Sequence, residues 1–178
     1  MSYWVFGYGS LIWRPGFDYV QAQQGLVRGL HRQLCVYSFT HRGTEEHPGL
    51  VFGLDQGGAC RGMAFEVEPG IWDETHAYLR EREQGNNVYK ESWRKIALAD
   101  GQVVEALTFV ADRTHRQYAG RLPREEQLRL VRQGVGHSGE NPEYVSNTYA
   151  HLAEMNIKDD GLKWLHDALM KGDQAALS

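Results

Sequence analysis

The sequence predicts an α+β fold with a small closed or nearly closed sheet, and two features carry that prediction. Segments rich in β-branched and aromatic residues, or alternating apolar with polar, fill the first two-thirds of the chain. Apolar residues at three- and four-residue intervals fill the last third. Strands and helices are thus segregated, whereas a doubly wound parallel sheet alternates them.

Each element has its own warrant. Tyr3 to Phe6 is an aromatic and β-branched run that stops at Gly7-Tyr8-Gly9-Ser10, a strand entering a Gly-rich turn. Val27 to Phe39, Leu50 to Leu54 and Arg61 to Val67 are further strands, and Gly57-Gly58 offers a hairpin turn between the last two. After Pro69-Gly70, Ile71 to Glu83 sets Trp72, Thr75 and Leu79 at helical spacing with charge on the other side, and Gly85 with two asparagines ends this short amphipathic helix. Val88 to Leu98 and Gln102 to Ala111 alternate around Ala99-Asp100-Gly101, a hairpin signal. Pro123 to Val135, Pro142 to Met155 and Asp159 to Met170 read as helices. Asn141 is the expected cap before Pro142, Asp159 caps the last helix, and Gly172 is its expected stop.

Composition limits the function. The chain has 178 residues, 42% hydrophobic and 24% charged, enough for one globular domain over 1–178 with a true core. Net charge is −4 and Lys and Arg are scattered, so no footprint for nucleic acid or an acidic membrane surface is present. A small-molecule substrate is expected, with no obligate protein partner evident. The opening residues lack the features of a secretory signal and no apolar stretch approaches spanning length, which predicts a soluble, cytoplasmic protein. Cys35 and Cys60 form neither a CxxC pair nor a disulfide framework and read as core thiols.

Several enzyme classes are excluded by missing spacings: there is no HExxH, CxxC, GxxxxGK[ST], EF-hand series or GxSxG elbow. His41 and His47 are the closest histidine pair and lack a third ligand, so no metal site is signalled.

Three features remain. In Gly7-Tyr8-Gly9-Ser10-Leu11 two glycines straddle a tyrosine after a strand. This is either a plain strand-end turn or a cradle whose N–H groups hold a carboxylate or carbonyl oxygen, with the Ser10 hydroxyl as a further donor. Glu83 closes Arg80-Glu81-Arg82-Glu83 at the C-terminal end of a predicted helix, where the dipole disfavours an acid. It is either part of a solvated charged face or a carboxyl whose pKa is raised toward that of a general base. The third feature is the Gly/Ser-rich loop Gly136 to Asn141, which leads into Tyr144; that tyrosine either packs or aims its hydroxyl at a site, and the loop residue Arg42 is either exposed or pairs with a carboxylate.

Together these segments resemble the ChaC-like family of glutathione-specific γ-glutamyl cyclotransferases over nearly the whole chain. The pieces that carry the resemblance are Trp4 to Trp13, the His41-Arg42-Gly43 loop with Pro48-Gly49, Cys60 to Ala64, Tyr78-Leu79 leading to Arg82-Glu83, and Ser138-Gly139 leading to Asn141 and Glu143-Tyr144. The resemblance implies a small mixed β-barrel with flanking helices, no cofactor or metal, and Glu83 as the catalytic residue. It also implies Tyr8, Gly9, Ser10 and Leu11 as the cradle for the γ-glutamyl group of glutathione, with Tyr144 lining the pocket. Gln84 to Tyr89 departs from the shorter turn of some relatives, and Leu50 stands where some carry a basic residue. The alternatives are a cyclotransferase for other γ-glutamyl amino acids or amines, and a non-catalytic module that binds a γ-glutamyl or carboxylate metabolite.

Overall fold

The opening aromatic run forms β1 (Tyr3–Gly7) in a computed structural model that describes residues 2–84 and 87–177. It joins β2 (Gln21–Ser38), β3 (Gly49–Val67), β4 (Tyr89–Leu98) and β5 (Val103–Ala111) in a closed barrel of order β1-β3-β2-β4-β5. The barrel is mixed: β1 runs antiparallel to β3, Tyr3 facing Val67, and parallel to β5, Trp4 facing Ala106. The hairpin expected at Ala99-Asp100-Gly101 is present, with Ala97 opposite Val103 and Gly101 at φ +92°.

The expected hairpin at Gly57-Gly58 is not. Both glycines take positive φ, yet they lie inside one continuous strand, β3. Residues free to enter the left-handed region bend a strand without reversing it. The two halves also have different neighbours: Met63 to Val67 pair with β1, and Leu54 pairs with Val110 of β5.

The chain forms two compact units, the first comprising Met1–Arg32 and Gly53–Arg116. Its core gathers Val5, Leu11, Val67, Trp72, Leu79, Leu107 and Phe109. Two of these come from α1 (Trp72–Glu83), whose buried residues Trp72, Thr75 and Leu79 keep the predicted spacing. Burying one such large apolar side chain contributes about 1.5–3 kcal/mol, which anchors the helix by that face. Gln84 caps α1, its N–H donating to the Arg80 carbonyl; the predicted stop at Gly85 lies outside the described residues.

The second unit comprises Gln33–Phe52 and Gln117–Ser178. It holds α2 (Arg124–Gln133), the short strands β6 (Val135–Gly136) and β7 (Gly139–Glu140), α3 (Asn141–Glu154) and α4 (Asp160–Leu177). Leu130, Val131, Val145, Leu152, Leu162 and Leu165 are buried.

Asp159 caps α4 as expected, its Oδ1 accepting from the Leu162 N–H at 3.0 Å. Two other end signals act differently. Asn141 is the first helical residue of α3 rather than its cap. Its fully buried side chain instead accepts from the Leu50 N–H at 2.7 Å and donates to the Leu50 carbonyl at 2.8 Å, completing a strand edge with an amide. Gly172 does not stop α4, which continues to Leu177. A Cβ there would lie 2.5 Å from the Arg132 guanidinium, so this glycine serves close approach.

Candidate functional site

The geometry of the first unit explains why one acid is set apart. Glu83 lies four residues beyond Leu79 and so continues the stripe Trp72, Thr75, Leu79 that α1 turns inward. Its side chain is 16% exposed. Burial pushes the Glu83 carboxyl above its ordinary value of 4.5, and the positive charge of Arg82 opposes that rise. The C-terminal end of the helix acts in the same direction as burial. Among the described residues no hydrogen bond compensates the carboxylate, and the Arg82 Nε lies 3.6 Å from its Oε1.

The Gly-rich turn leaves β1 and closes as a short 3₁₀ turn at Ser10–Ile12, an element the sequence reading had not foreseen. The Ile12 N–H donates to the Gly9 carbonyl at 2.9 Å and the Arg14 N–H to the Ser10 carbonyl at 2.8 Å. The first N–H groups of such a turn have no partner within it, and no side chain caps it. Tyr8 and Leu11 are buried and anchor the turn, while Ser10 is exposed. A Cβ built on Gly9 meets no atom within 4 Å, so open space adjoins its backbone.

Two arginines hold this turn, and sequence reasoning assigned a role to neither. Arg82 Nη2 donates to the Ser10 hydroxyl at 3.1 Å, and its Nη1 donates to the Arg14 and Pro15 carbonyls and the Tyr78 hydroxyl. Arg32, 9% exposed, donates from Nε to the Tyr8 carbonyl at 2.6 Å and from Nη2 to the Arg61 carbonyl at 2.7 Å. The pattern around Arg82 had one usable signal, its spacing of four from Tyr78 on the same helix face. Arg32 sits between the apolar positions Leu30 and Leu34 of the same strand face, where a buried charge needs acceptors.

Arg42 and Tyr144 belong to the second unit. The Tyr144 hydroxyl accepts from the Phe52 N–H at 2.9 Å, and the Arg42 guanidinium carbon lies 5.5 Å from the Tyr144 ring centroid. Arg42 Nη1 donates to the Glu140 carbonyl at 3.0 Å. The loop is stitched further by the His137 and Ser138 N–H groups, which donate to the carbonyls of Thr40 and His41. Among the described residues no group of three or more His, Cys, Asp or Glu side chains is placed to hold a metal ion.

A family model described as ChaC-like protein matches residues 3–171. The chain belongs to the ChaC-like family. It is 30% identical over 159 residues to the glutathione-specific gamma-glutamylcyclotransferase of Escherichia coli (strain K12), covering 89% of this chain and 69% of that protein. It is 33% identical over 172 residues to glutathione-specific gamma-glutamylcyclotransferase 1 of Homo sapiens, covering 93% and 78%. A solved gamma-glutamyl cyclotransferase specific to glutathione from yeast superposes with a TM-score of 0.85 at 22% identity, covering 96% of each chain. That likeness establishes the ChaC-like fold, the mixed barrel with flanking helices that the resemblance implied.

Proposed function

We propose that this chain is a glutathione-specific γ-glutamyl cyclotransferase, working as a single catalytic domain over 1–178 with Glu83 as its acid and base. The observation that carries the proposal is the linking of a largely buried carboxyl, its pKa raised by burial, to the Gly-rich turn through one arginine side chain, Arg82, in a chain of this family. The names of the bacterial and human relatives supply the substrate.

In this reaction the substrate's α-amino nitrogen attacks its own γ-carbonyl carbon. The new C–N bond closes a five-membered ring, the bond from the γ-carbon to the cysteinyl nitrogen breaks, and 5-oxoproline and cysteinylglycine leave. Because nucleophile and electrophile share one molecule, orientation alone is worth roughly 7–11 kcal/mol. What remains is proton transfer. Glu83 takes a proton from the attacking amine and returns it to the departing nitrogen, a contribution of about 10²–10⁴-fold. A carboxyl whose pKa is raised by burial suits both halves of that task.

Tyr8, Gly9, Ser10 and Leu11 supply the backbone of the cradle, and an N–H facing the tetrahedral oxyanion contributes about 3 kcal/mol. Tyr144 is assigned to the substrate pocket on the family resemblance, and Arg42 to pairing with a substrate carboxylate. The same reading expects a cytoplasmic enzyme acting on a small molecule, without cofactor, nucleic acid or obligate protein partner. Among the described residues no helix is long and apolar enough to cross a membrane.

The test is release of 5-oxoproline, measured by mass spectrometry, from glutathione and from γ-glutamyl-alanine, with and without chelator. Release from glutathione alone, indifferent to chelator, is the expected result. Release from γ-glutamyl-alanine as well moves the reading to the broader cyclotransferase class, and no release from either by folded protein overturns it in favour of a binding module.

A further inference from the structure

The chemistry assigned to Glu83 requires that the turn holding the substrate keep a fixed distance from the carboxylate. The two lie on different elements, the turn after β1 and the end of α1, so something must fix their spacing. The candidate is visible in the hydrogen bonds. One guanidinium reaches Ser10, Arg14 and Pro15 on the turn side and Tyr78 on its own helix, while its Nε faces Glu83. The Arg82 side chain is only 19% exposed, and its bonds to the Pro15 carbonyl and the Tyr78 hydroxyl are partly buried. Tyr78 completes the arrangement. Its hydroxyl occupies the place a Cβ of Gly16 would take, 2.0 Å away, and Gly16 holds φ +75°, so the chain following the turn is moulded onto that ring.

We propose that Arg82 is a positioning residue that holds the substrate turn at a fixed spacing from the Glu83 carboxylate. The inference rests on the functional reading above and deepens it. A planar guanidinium suits the task because its donors point in several fixed directions, whereas a lysine ammonium offers three donors from one atom. Arg82 is also the one charged group acting on the Glu83 carboxyl among the described residues, so it tempers the effect of burial there.

Two substitutions separate these effects. Arg82→Lys keeps the charge and loses the fork. It is expected to raise KM for glutathione and lower kcat/KM by about 10²-fold, the scale of a misplacement of roughly 1 Å, with the acid limb of the pH profile unmoved. Arg82→Gln loses both and is expected to add a displacement of that limb to higher pH, since the carboxylate loses its positive neighbour. Tyr78→Phe removes one of the four acceptors without touching the turn, and is expected to raise KM by less than Arg82→Lys does. It also decides the matter if Arg82→Gln does not fold. Lowered melting temperatures with unchanged KM and an unchanged acid limb in the folded variants overturn the inference, because a merely structural arginine has that signature. Wild type and Glu83→Gln are assayed alongside. An inactive wild type overturns the functional reading itself, whereas an active wild type with unmoved Arg82 variants overturns only the role of Arg82.

Discussion

Replacing Glu83 by glutamine removes the charge and keeps the shape, so rate and stability are expected to move in opposite directions. Loss of a general acid and base costs about 10²–10⁴-fold in turnover, or roughly 2.7–5.4 kcal/mol in the activation barrier. The stability sign follows from the folded-state pKa, which burial raises above 4.5 against the opposing charge of Arg82. The folded protein therefore holds this proton more tightly than the unfolded chain does. Folding is favoured below 4.5, where the carboxyl is protonated, and that advantage is lost as pH rises through the folded value. As pH rises through the folded value the wild type must ionise a largely buried carboxyl whose burial outweighs the charge of Arg82, and Glu83→Gln need not. The melting temperature of the variant minus that of wild type should thus be more positive at about pH 7.5 than at about pH 4, a difference that cancels any intrinsic effect of the amide. The assay pairs 5-oxoproline release from glutathione with thermal melts at both pH values. Turnover within about tenfold of wild type refutes the catalytic role, and a pH-independent difference in melting temperature refutes the electrostatic account.

Gly9→Ala places a methyl group where the protein has nothing within 4 Å, so a raised KM with retained kcat is expected if substrate lies there; an unaltered KM counts against the cradle. Asn141→Ala strips the Leu50 N–H and carbonyl of their partners, at about 1–3 kcal/mol for each buried group, and denaturant melts should show a loss of roughly 2–6 kcal/mol. Glu91 accepts hydrogen bonds from Arg80 and His76, and these partners, Arg80 foremost, hold its carboxyl below 4.5 against desolvation. Its contribution is present above 4.5 and lost as pH falls through the lowered value, so Glu91→Gln should cost melting temperature at neutral pH and cease to matter in acid.

Periodicity made most of the barrel and the helices legible, because alternation and 3.6-residue spacing report which face is buried. The errors fall where a residue does something other than its local habit. Gly57-Gly58 has turn chemistry, but β3 finds its partners in other strands and only bends there. Asn141 has capping chemistry, but its amide is committed to Leu50, ninety-one positions away, a pairing no local pattern reveals. Gly172 lies where the helix meets Arg132, so its small size answers a tertiary contact. The turn residues Tyr8 to Leu11 stood out through their glycines, whereas Arg32 and Arg82, which hold that turn, looked like ordinary arginines.

Glu83 was ambiguous in sequence because charge alternates around it, and the structure adds its burial and its place on the inward stripe of α1. Trp72, Thr75 and Leu79 define the inward stripe of α1, and the next position on that stripe calls for an apolar residue. An acid there conflicts with burial and with the negative end of the helix at once. Glu91, the same residue type in the same unit, sits where partners lower its pKa. The two glutamates therefore differ in the sign of their shifts, and the sign separates their roles: a carboxylate that supports the fold is one its partners keep ionised. One that the fold makes reluctant to ionise gives nothing to stability at neutral pH, which supports the proposal that Glu83 works on a proton. Arg82 limits that reluctance while binding the turn, so under the proposed function a carboxylate that accepts the amine's proton and a turn that holds the substrate depend on the same guanidinium.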